Sequence, residues 1–533
     1  MLDPELVATL LPPGSFRRFL ADNIDRIASE EVVGDLFSGA VGRWSSIAPE
    51  YYLALILLRY HDKVSYEVAS ERAQFDARWK AVLGKSPVDL RPTVSAVSLF
   101  EFEKALTKAG RHDVLFTRTL ALAREAGVLE TEVTVAQDST SVIGRGAVKD
   151  TYNLLGDGLR RLLRAVASSQ GSKPLAVAER YGMGELFRRS TKATADIDWS
   201  SPDARRGFLQ RLVEAAETTI EEVTRNAPAA GLYPSVRTAI AIVRKVIEQD
   251  VIREPSGRVS LRIGVAPDRL ISIGDPEMRR GHKSQSEPFE GYKAHYTVAL
   301  PSRIVMATEV TGANEHDSSP SAGMAERAEQ SSGCLVVKVI GDAAYGTEAN
   351  RVAHDEVGRI LVAKLPRARI TERFGKRDFL VDVEHNAVTC PAGMMSTEFT
   401  QIRRRREPDE IPSQISWMQR YVFNATICGA CAQRSRCVPD GETRRRVDVG
   451  PNERLTQDAL RYASTPGYRA DRTARQAAEH TIARTVQLGA RQARVRGRDK
   501  VAAQITLTAV VLNLTRLCAI ARETSGPASG IAA

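Results

Sequence analysis

The 533-residue chain has eight histidines, six cysteines and four tryptophans, and aromatic residues make up only 6% of it. None of the histidines forms a spaced ligand pair. His282, His295 and His316 fall between or beside predicted strands, and His480 follows a glutamate, so they read as structural. No Gly-rich phosphate loop or dinucleotide fingerprint occurs, which removes support for nucleotide-dependent chemistry. No apolar run approaches the ~18–20 residues of a membrane span. The opening Met1-Leu2-Asp3-Pro4-Glu5 lacks a basic-then-apolar leader, so a cytoplasmic protein is expected.

Charge is present and unevenly placed. The chain is 43% hydrophobic and 26% charged, ordinary globular usage, with a net charge of +10. Residues 401–533 hold 23 Lys and Arg against 12 Asp and Glu, whereas the preceding 400 hold 52 against 53. A local basic excess is the footprint of a polyanion partner, most often nucleic acid. The bland alternative is a solvated Arg-rich surface.

Residues 1–130 read as helices. Tyr51, Leu53, Ala54, Leu57 and Leu58 form an apolar face on a helix capped near Ser46. His61-Asp62-Lys63 reads as a polar break, and Ser65 caps a second helix carrying Val68, Ala69, Ala73 and Phe75. A further helix runs from about Ser95 to Lys108 with Phe100 and Leu106 on its buried side. At 131–138, Val133 and Val135 alternate with polar residues, predicting a strand that ends at Gln137-Asp138. Helices return over about 150–255; the best has Ser201 as cap and Pro202 as its first residue. Residues 260–365 mix strands and helices. Short strands are predicted at Leu261–Val265 and Leu270–Ile273. A hairpin joins His295–Leu300 to Ile304–Val310 through Pro301-Ser302-Arg303, and a helix follows near Pro320–Glu329. Cys334–Ile340 reads as a buried strand ending at Gly341-Asp342, followed by a helix near Thr347 and a strand at Arg359–Lys364. Residues 380–455 break the pattern, with four cysteines and the Arg403–Arg406 run. A buried helix through Val501, Ile505, Leu507, Val510, Val511 and Leu514 precedes a small-residue tail.

Asp138 and Asp342 therefore close two strands, where a sheet holds functional groups rigidly. Two carboxylates brought together need a shared proton or a cation, commonly a divalent metal. The bland reading of each is a turn or helix cap. Arg472, Arg475 and Glu479 are spaced to share one helix face, either as an intrahelical ion pair or with Glu479 on metal and the arginines on phosphates. Cys428-x-x-Cys431-x5-Cys437, with Cys390 as a fourth thiol, has ligand types suited to a structural Zn²⁺; the alternative is reduced, incidental thiols. Arg444-Arg445-Arg446 follows and could rest on DNA. Cys334 and Cys518 lie in apolar runs and read as core.

The segments Gln137-Asp138-Ser139-Thr140, Gly341-Asp342-Ala343-Ala344-Tyr345-Gly346 and Tyr468…Arg475-x-x-x-Glu479 resemble, in that order, the DDE transposases of bacterial insertion sequences. The tail Arg494-Val495-Arg496-Gly497-Arg498 and Leu512-Asn513-Leu514-Thr515-Arg516, the stretch Ile47–Tyr60, and the segment from Ile197-Asp198-Trp199 extend the resemblance over roughly residues 10–520. It implies an α/β fold with an RNase H-like mixed sheet, interrupted by a helical insertion at about 145–255 and a small Cys-rich insertion, and preceded by an N-terminal helical domain. The expected units are 1–130 (helical, a possible DNA-binding domain), 131–380 (catalytic core), 381–455 (Cys-rich), 456–520 (C-terminal catalytic helices) and a disordered 521–533. Asp138, Asp342 and Glu479 become the metal-holding catalytic carboxylates for two Mg²⁺ (or Mn²⁺) ions, with Cys390, Cys428, Cys431 and Cys437 for Zn²⁺. Arg472, Arg475, Arg484, Arg494, Arg496 and Arg444 become DNA contacts. The implied activity is cleavage at terminal inverted repeats and strand transfer into target DNA, by a homodimer on DNA in a bacterial, nucleoid-associated setting, with no membrane. The alternatives are a non-catalytic zinc-containing DNA-binding protein, a nuclease of the same fold, or a decayed copy.

Overall fold

A computed structural model describes residues 4–28, 30–36, 47–89, 94–226, 231–284, 286–365, 372–403 and 417–525. Ser46, Arg404–Arg406 and the tail beyond Ser525 lie outside them.

The centre is a six-stranded mixed sheet. Its strands are β1 (Glu132–Ile143), β2 (Arg279–Ser284), β3 (Glu287–Leu300), β4 (Val305–Gly312), β5 (Leu335–Ile340) and β6 (Ile360–Val362). The order is β2-β3-β1-β5-β6, with β4 also pairing β3. β1 runs antiparallel to β3 and parallel to β5, and β5 runs parallel to β6. The hairpin at Pro301-Ser302-Arg303 forms as expected, with Arg303 taking the left-handed turn position at φ 64°. Leu270–Ile273 is not a strand: it is buried coil, and Leu270 pairs with the side chain of Gln249 rather than with a neighbouring strand. The strand expected at Leu261–Val265 is instead Val259–Leu261, paired with Val251–Arg253, and Ile263 and Val265 are exposed.

β1 differs from its sequence reading in a way that matters. It does not end at Asp138 but continues to Ile143, because β3 pairs with it throughout 134–143. On its other side the partner β5 stops, and the last parallel pair is Ala136 with Ile340. Asp138 and Asp342 each lie two residues past that pair.

The N-terminal helices share one hydrophobic core with this sheet and the C-terminal helix Arg498–Ser525. Pro49–Asp62 is followed by Lys63 in the left-handed conformation and by Tyr66–Phe75, capped by Ser65 as predicted. The first of these helices is preceded by Ala48, whose side chain makes no cap. His61-Asp62 is no break: both lie in the helix, and Asp62 gathers Arg17, Arg72, His61 and Trp79 Nε1. Phe75 and Phe100 are exposed; Leu99, Phe102 and Leu106 form the buried face of Ala96–Lys108.

Arg498–Ser525 is long and apolar enough to cross a membrane, a feature the run-length reading missed. Some 78% of its most apolar stretch is buried inside the protein, which marks it as a core helix. Its Asn513 is fully buried and acts as a strand would: Oδ1 accepts from Val305 N at 2.8 Å and Nδ2 donates to Val305 O at 2.8 Å, closing the edge of β4. Arg516 donates to Ser302 O, clamping the hairpin turn.

Between β1 and β2 lies a helical segment with its own cores, led by Thr151–Ser169, Pro202–Arg225 and Pro234–Asp250. Ser201 and Pro202 start the second as predicted. Residues 380–449 form two three-stranded sheets around Val388, Tyr421, Val447 and Cys437, an arrangement no periodicity announced. Helices Glu453–Ala463, Pro466–Ala474 and Gln476–Gln487 then return to the main sheet.

Candidate functional site

Alternation along β1 sets the first carboxylate. Gln137 is buried on one face, where its amide donates to Ser321 O and Thr297 Oγ1 and accepts from Ser321 Oγ, which in turn meets His354 Nε2 at 3.1 Å. Its neighbour Asp138 must then face the opposite side. Asp138 Oδ1 accepts from Ser139 N at 2.8 Å, and Oδ2 accepts from Arg475 at 3.1 Å.

Asp342 follows β5 and caps the short turn Ala343–Tyr345 by accepting from Ala344 N at 2.8 Å. The bland cap role is therefore real for this residue, but it occupies one oxygen of an exposed carboxylate. Gly341 permits the turn: a Cβ there would meet the Tyr345 side chain at 2.6 Å.

Glu479 sits in the first turn of Gln476–Gln487, which packs on β1 and β3. Of the helix face expected through Arg472, Arg475 and Glu479, the Arg475–Glu479 part forms, as the i,i+4 ion pair that the spacing offered. The helix breaks at Arg475, between Pro466–Ala474 and Gln476–Gln487. The first segment is pinned through Asp471, which accepts from Tyr462 Oη at 2.6 Å and pairs with Lys338 of β5 at 3.2 Å. The break leaves the Arg475 guanidinium between Asp138 and Glu479, bonded to both.

These groups share one electrostatic environment. Burial pushes the Asp138 carboxyl up to about 6; the Ser139 N–H and Arg475 oppose the rise, and the charges of Asp342 and Glu479 add to it. Tyr345, buried behind Asp342, is also pushed up, first by burial and then by Asp138, Asp317 and Asp342. The raised Asp138 value has a stability consequence. Its ionised form is disfavoured in the fold, so stability is lost as pH rises from about 4 through about 6. Asp138→Asn is expected to stabilise the fold by on the order of 1–3 kcal/mol above that window and by nothing below it. Thermal melts across this pH range check both the sign and the window.

Among the described residues, no three His, Cys, Asp or Glu groups stand ready to hold a metal ion. At the carboxylates, Arg475 takes the place a cation would fill between Asp138 and Glu479. Asp342 and Glu479 both act on Asp138, and carboxylate oxygens are the ligand type that a hard divalent ion takes.

Cys390, Cys428, Cys431 and Cys437 line one cavity of about 430 Å³, together with Arg434 and Arg444. Burial raises the Cys437 thiol, and the other three cysteines act on it in the same direction. Cys334 and Cys518 are buried in the core, as read. Of the arginines, Arg472, Arg484, Arg496 and Arg444 are exposed. Arg494 is turned inward, with its guanidinium 5.0 Å from the Tyr60 ring centre and donating to Leu488 O, so packing accounts for it. Tyr345, Gln137 and Ser321 escaped the sequence reading as parts of the site. Gln137 and Tyr345 stood within the quoted motifs around the two aspartates, whereas Ser321 carried no sequence signal.

No curated protein matches the chain. Residues 389–518 match the family model described as transposase DDE domain. That segment contains Glu479, the four clustered cysteines and most of the C-terminal helix, and it reaches Asp138 through Arg475. Over this segment the chain is similar to the DDE transposases.

Proposed function

We propose that the chain cleaves DNA at the ends of a mobile element and joins the freed 3′-hydroxyl to target DNA, with Asp138, Asp342 and Glu479 as the catalytic carboxylates of an RNase H-like sheet. The observation that carries this reading is the convergence on Arg475 of Asp138 and Glu479, 341 positions apart in sequence, with Asp342 acting on the same carboxyl. The strand order and the parallel register of β1 with β5, which sets Asp138 level with Asp342, support the fold assignment.

The three carboxylates would hold the divalent ions, Mg²⁺ or Mn²⁺. Such ions, when bound, supply activation of the attacking oxygen and charge neutralisation at the leaving 3′ oxygen. Asp138 is fixed by the Gln137–Ser321 bonds behind it, so it orients the reacting phosphate rigidly. Arg475 holds the carboxylates together by its two ion pairs; once displaced it can pair with a phosphate instead. The exposed Arg472 and Arg484 flank Glu479 on its two sides and would steady the DNA backbone. The active form is a homodimer assembled on two ends. The four thiols that line one cavity would be the ligands of a structural Zn²⁺, though they do not stand gathered as a ligand set, and metal analysis of protein purified without chelator decides that part: absence of stoichiometric zinc removes it.

The deciding experiment incubates the purified chain with DNA carrying the inverted repeats that flank its gene, with Mg²⁺ and a target plasmid. Nicked ends and joined products are expected. Cleavage without joining would reduce the chain to a nuclease, and binding without cleavage would overturn the catalytic reading.

A further inference from the structure

The first 400 residues are neutral in sum, yet the helical segment between β1 and β2 carries a strongly basic groove. Helix Thr151–Ser169 presents Arg160, Arg161 and Arg164, the end of Gly184–Arg188 brings in Arg188 and Arg189, and Lys149 stands just before the first helix. Together they line an open cavity of about 640 Å³ in which Asp157 is the one carboxylate among the lining residues.

The groove is built rather than incidental. Arg160 donates to Leu186 O at 2.6 Å and Arg189 O at 2.9 Å, tying the two helices together. Arg161 donates to Ile273 O at 2.8 Å. Arg164 lies 5.4 Å from the Phe187 ring centre, its charge facing outward, with no carboxylate pairing it among the described residues. Asp157 is shared by Lys149 and Arg160, at 2.7 Å each, while Glu179 and Glu185 pair Arg188 and Glu185 also lies 3.7 Å from Arg189. Three carboxylates against six cations leave a net positive charge of about three held in one place, and like charges are kept together at a cost unless a polyanion meets them.

The groove also connects to the carboxylates. From Asp138, β1 runs to Ile143 over ~17 Å at about 3.3 Å per residue. There Ile143 N bonds Arg491 O, and Arg145 donates to Arg494 O at 2.7 Å. Gly274, on the groove wall, stands against Arg496: a Cβ there would lie 3.6 Å from its guanidinium. Arg145 and Arg496, both exposed, thus stand between the catalytic end of β1 and the groove.

We propose that this groove binds the phosphate backbone of duplex DNA on the flank of the reacting end, without reading its sequence. Duplex advances 3.4 Å per base pair, so the groove engages DNA beginning about five base pairs or more from the reacting phosphate. The inference rests on the proposed function for the identity of the polyanion.

The test uses the full chain and a variant carrying Lys149→Ala, Arg164→Ala and Arg189→Ala. Anisotropy of a fluorescein-labelled duplex of about 40 base pairs and arbitrary sequence is followed between about 50 and 200 mM salt. Loss of three phosphate contacts is expected to reduce the slope of log K against log salt by about 2–3. The charge-retaining variant with Arg164→Lys and Arg189→Lys is expected to bind as wild type, which separates lost charge from lost folding. An unchanged slope in the alanine variant overturns the proposal. So does groove-dependent binding to phosphatidylserine vesicles with none to duplex DNA. The wild-type chain keeps the outcomes separate: full duplex binding with groove dependence, in a wild-type chain that never cleaves with Mg²⁺ present, retains the groove and removes the catalytic reading. Cleavage by a chain whose slope ignores the groove does the reverse.

Discussion

Replacing Asp342 by asparagine is expected to lower strand cleavage by about 10³-fold, on the order of 4 kcal/mol of transition-state stabilisation, while DNA binding stays within a few fold. Asparagine is the informative substitution because Asp342 has two separable roles. Its cap on Ala344 N needs only an oxygen acceptor, which asparagine supplies. Its action on Asp138 needs the charge, which asparagine lacks. A correctly folded but inactive Asp342→Asn chain assigns the residue to the reaction; wild-type cleavage would leave it as a cap alone. Glu479→Gln is expected to behave alike, since Glu479 is exposed and pairs only with Arg475 among the described residues. A single-turnover cleavage assay, paired with duplex binding in the same buffer, separates lost chemistry from lost affinity.

The largest stability effect is expected far from that site. Asp62→Ala should destabilise the N-terminal helices by about 3–5 kcal/mol. Asp62 is 8% exposed and its Oδ2 accepts from Arg17 at 2.6 Å, Arg72 at 2.9 Å and Trp79 Nε1 at 3.1 Å, with His61 on Oδ1 at 2.7 Å. Alanine leaves a fully buried indole N–H without its acceptor and two guanidiniums without their counter-charge. Burial alone would raise the Asp62 carboxyl, but the His61 hydrogen bond, the Arg17 charge and the Trp79 bond outweigh it and hold it well below the usual range. Its contribution is therefore full above the unfolded value near about 4 and fades as the pH falls below that. A urea titration at neutral pH followed by Trp fluorescence should show an earlier transition for Asp62→Ala, and the gap should narrow in acid. Equal midpoints at neutral pH would contradict the hub role.

Asp62 also shows where sequence reading failed. Within His61-Asp62-Lys63 it looked like a polar break, because local pattern cannot see that Arg17 and Trp79 arrive from elsewhere to satisfy it. Phe100 misled in the opposite sense: an aromatic at helical spacing read as core, while Leu99 and Phe102 won the buried face. The two small sheets of 380–449 were invisible, since strands of two to six residues carry too few positions for a period to register. The membrane question turned on packing as well, because Arg498–Ser525 has the composition of a span and only its burial against the sheet identifies it as core.

What the sequence determined by itself was local or ordered along the chain. Ser65, Ser201 and Thr347 cap their helices because a cap needs only its own next three residues. The hairpin at 301–303, the apolar strand before Asp342, and the succession Asp138, Asp342, Glu479 were equally legible. Tertiary structure decided what those residues meet. The pairing of Ala136 with Ile340 brings Asp138 level with Asp342, a fact of register between strands some two hundred residues apart. The docking of the Gln476–Gln487 helix on β1 lets Arg475, whose pair with Glu479 the spacing offered, reach Asp138 as well. The neutral sum over the first 400 residues concealed the Arg160–Arg164 groove, because net charge adds over a chain while a binding surface depends on which charges the fold gathers on one side.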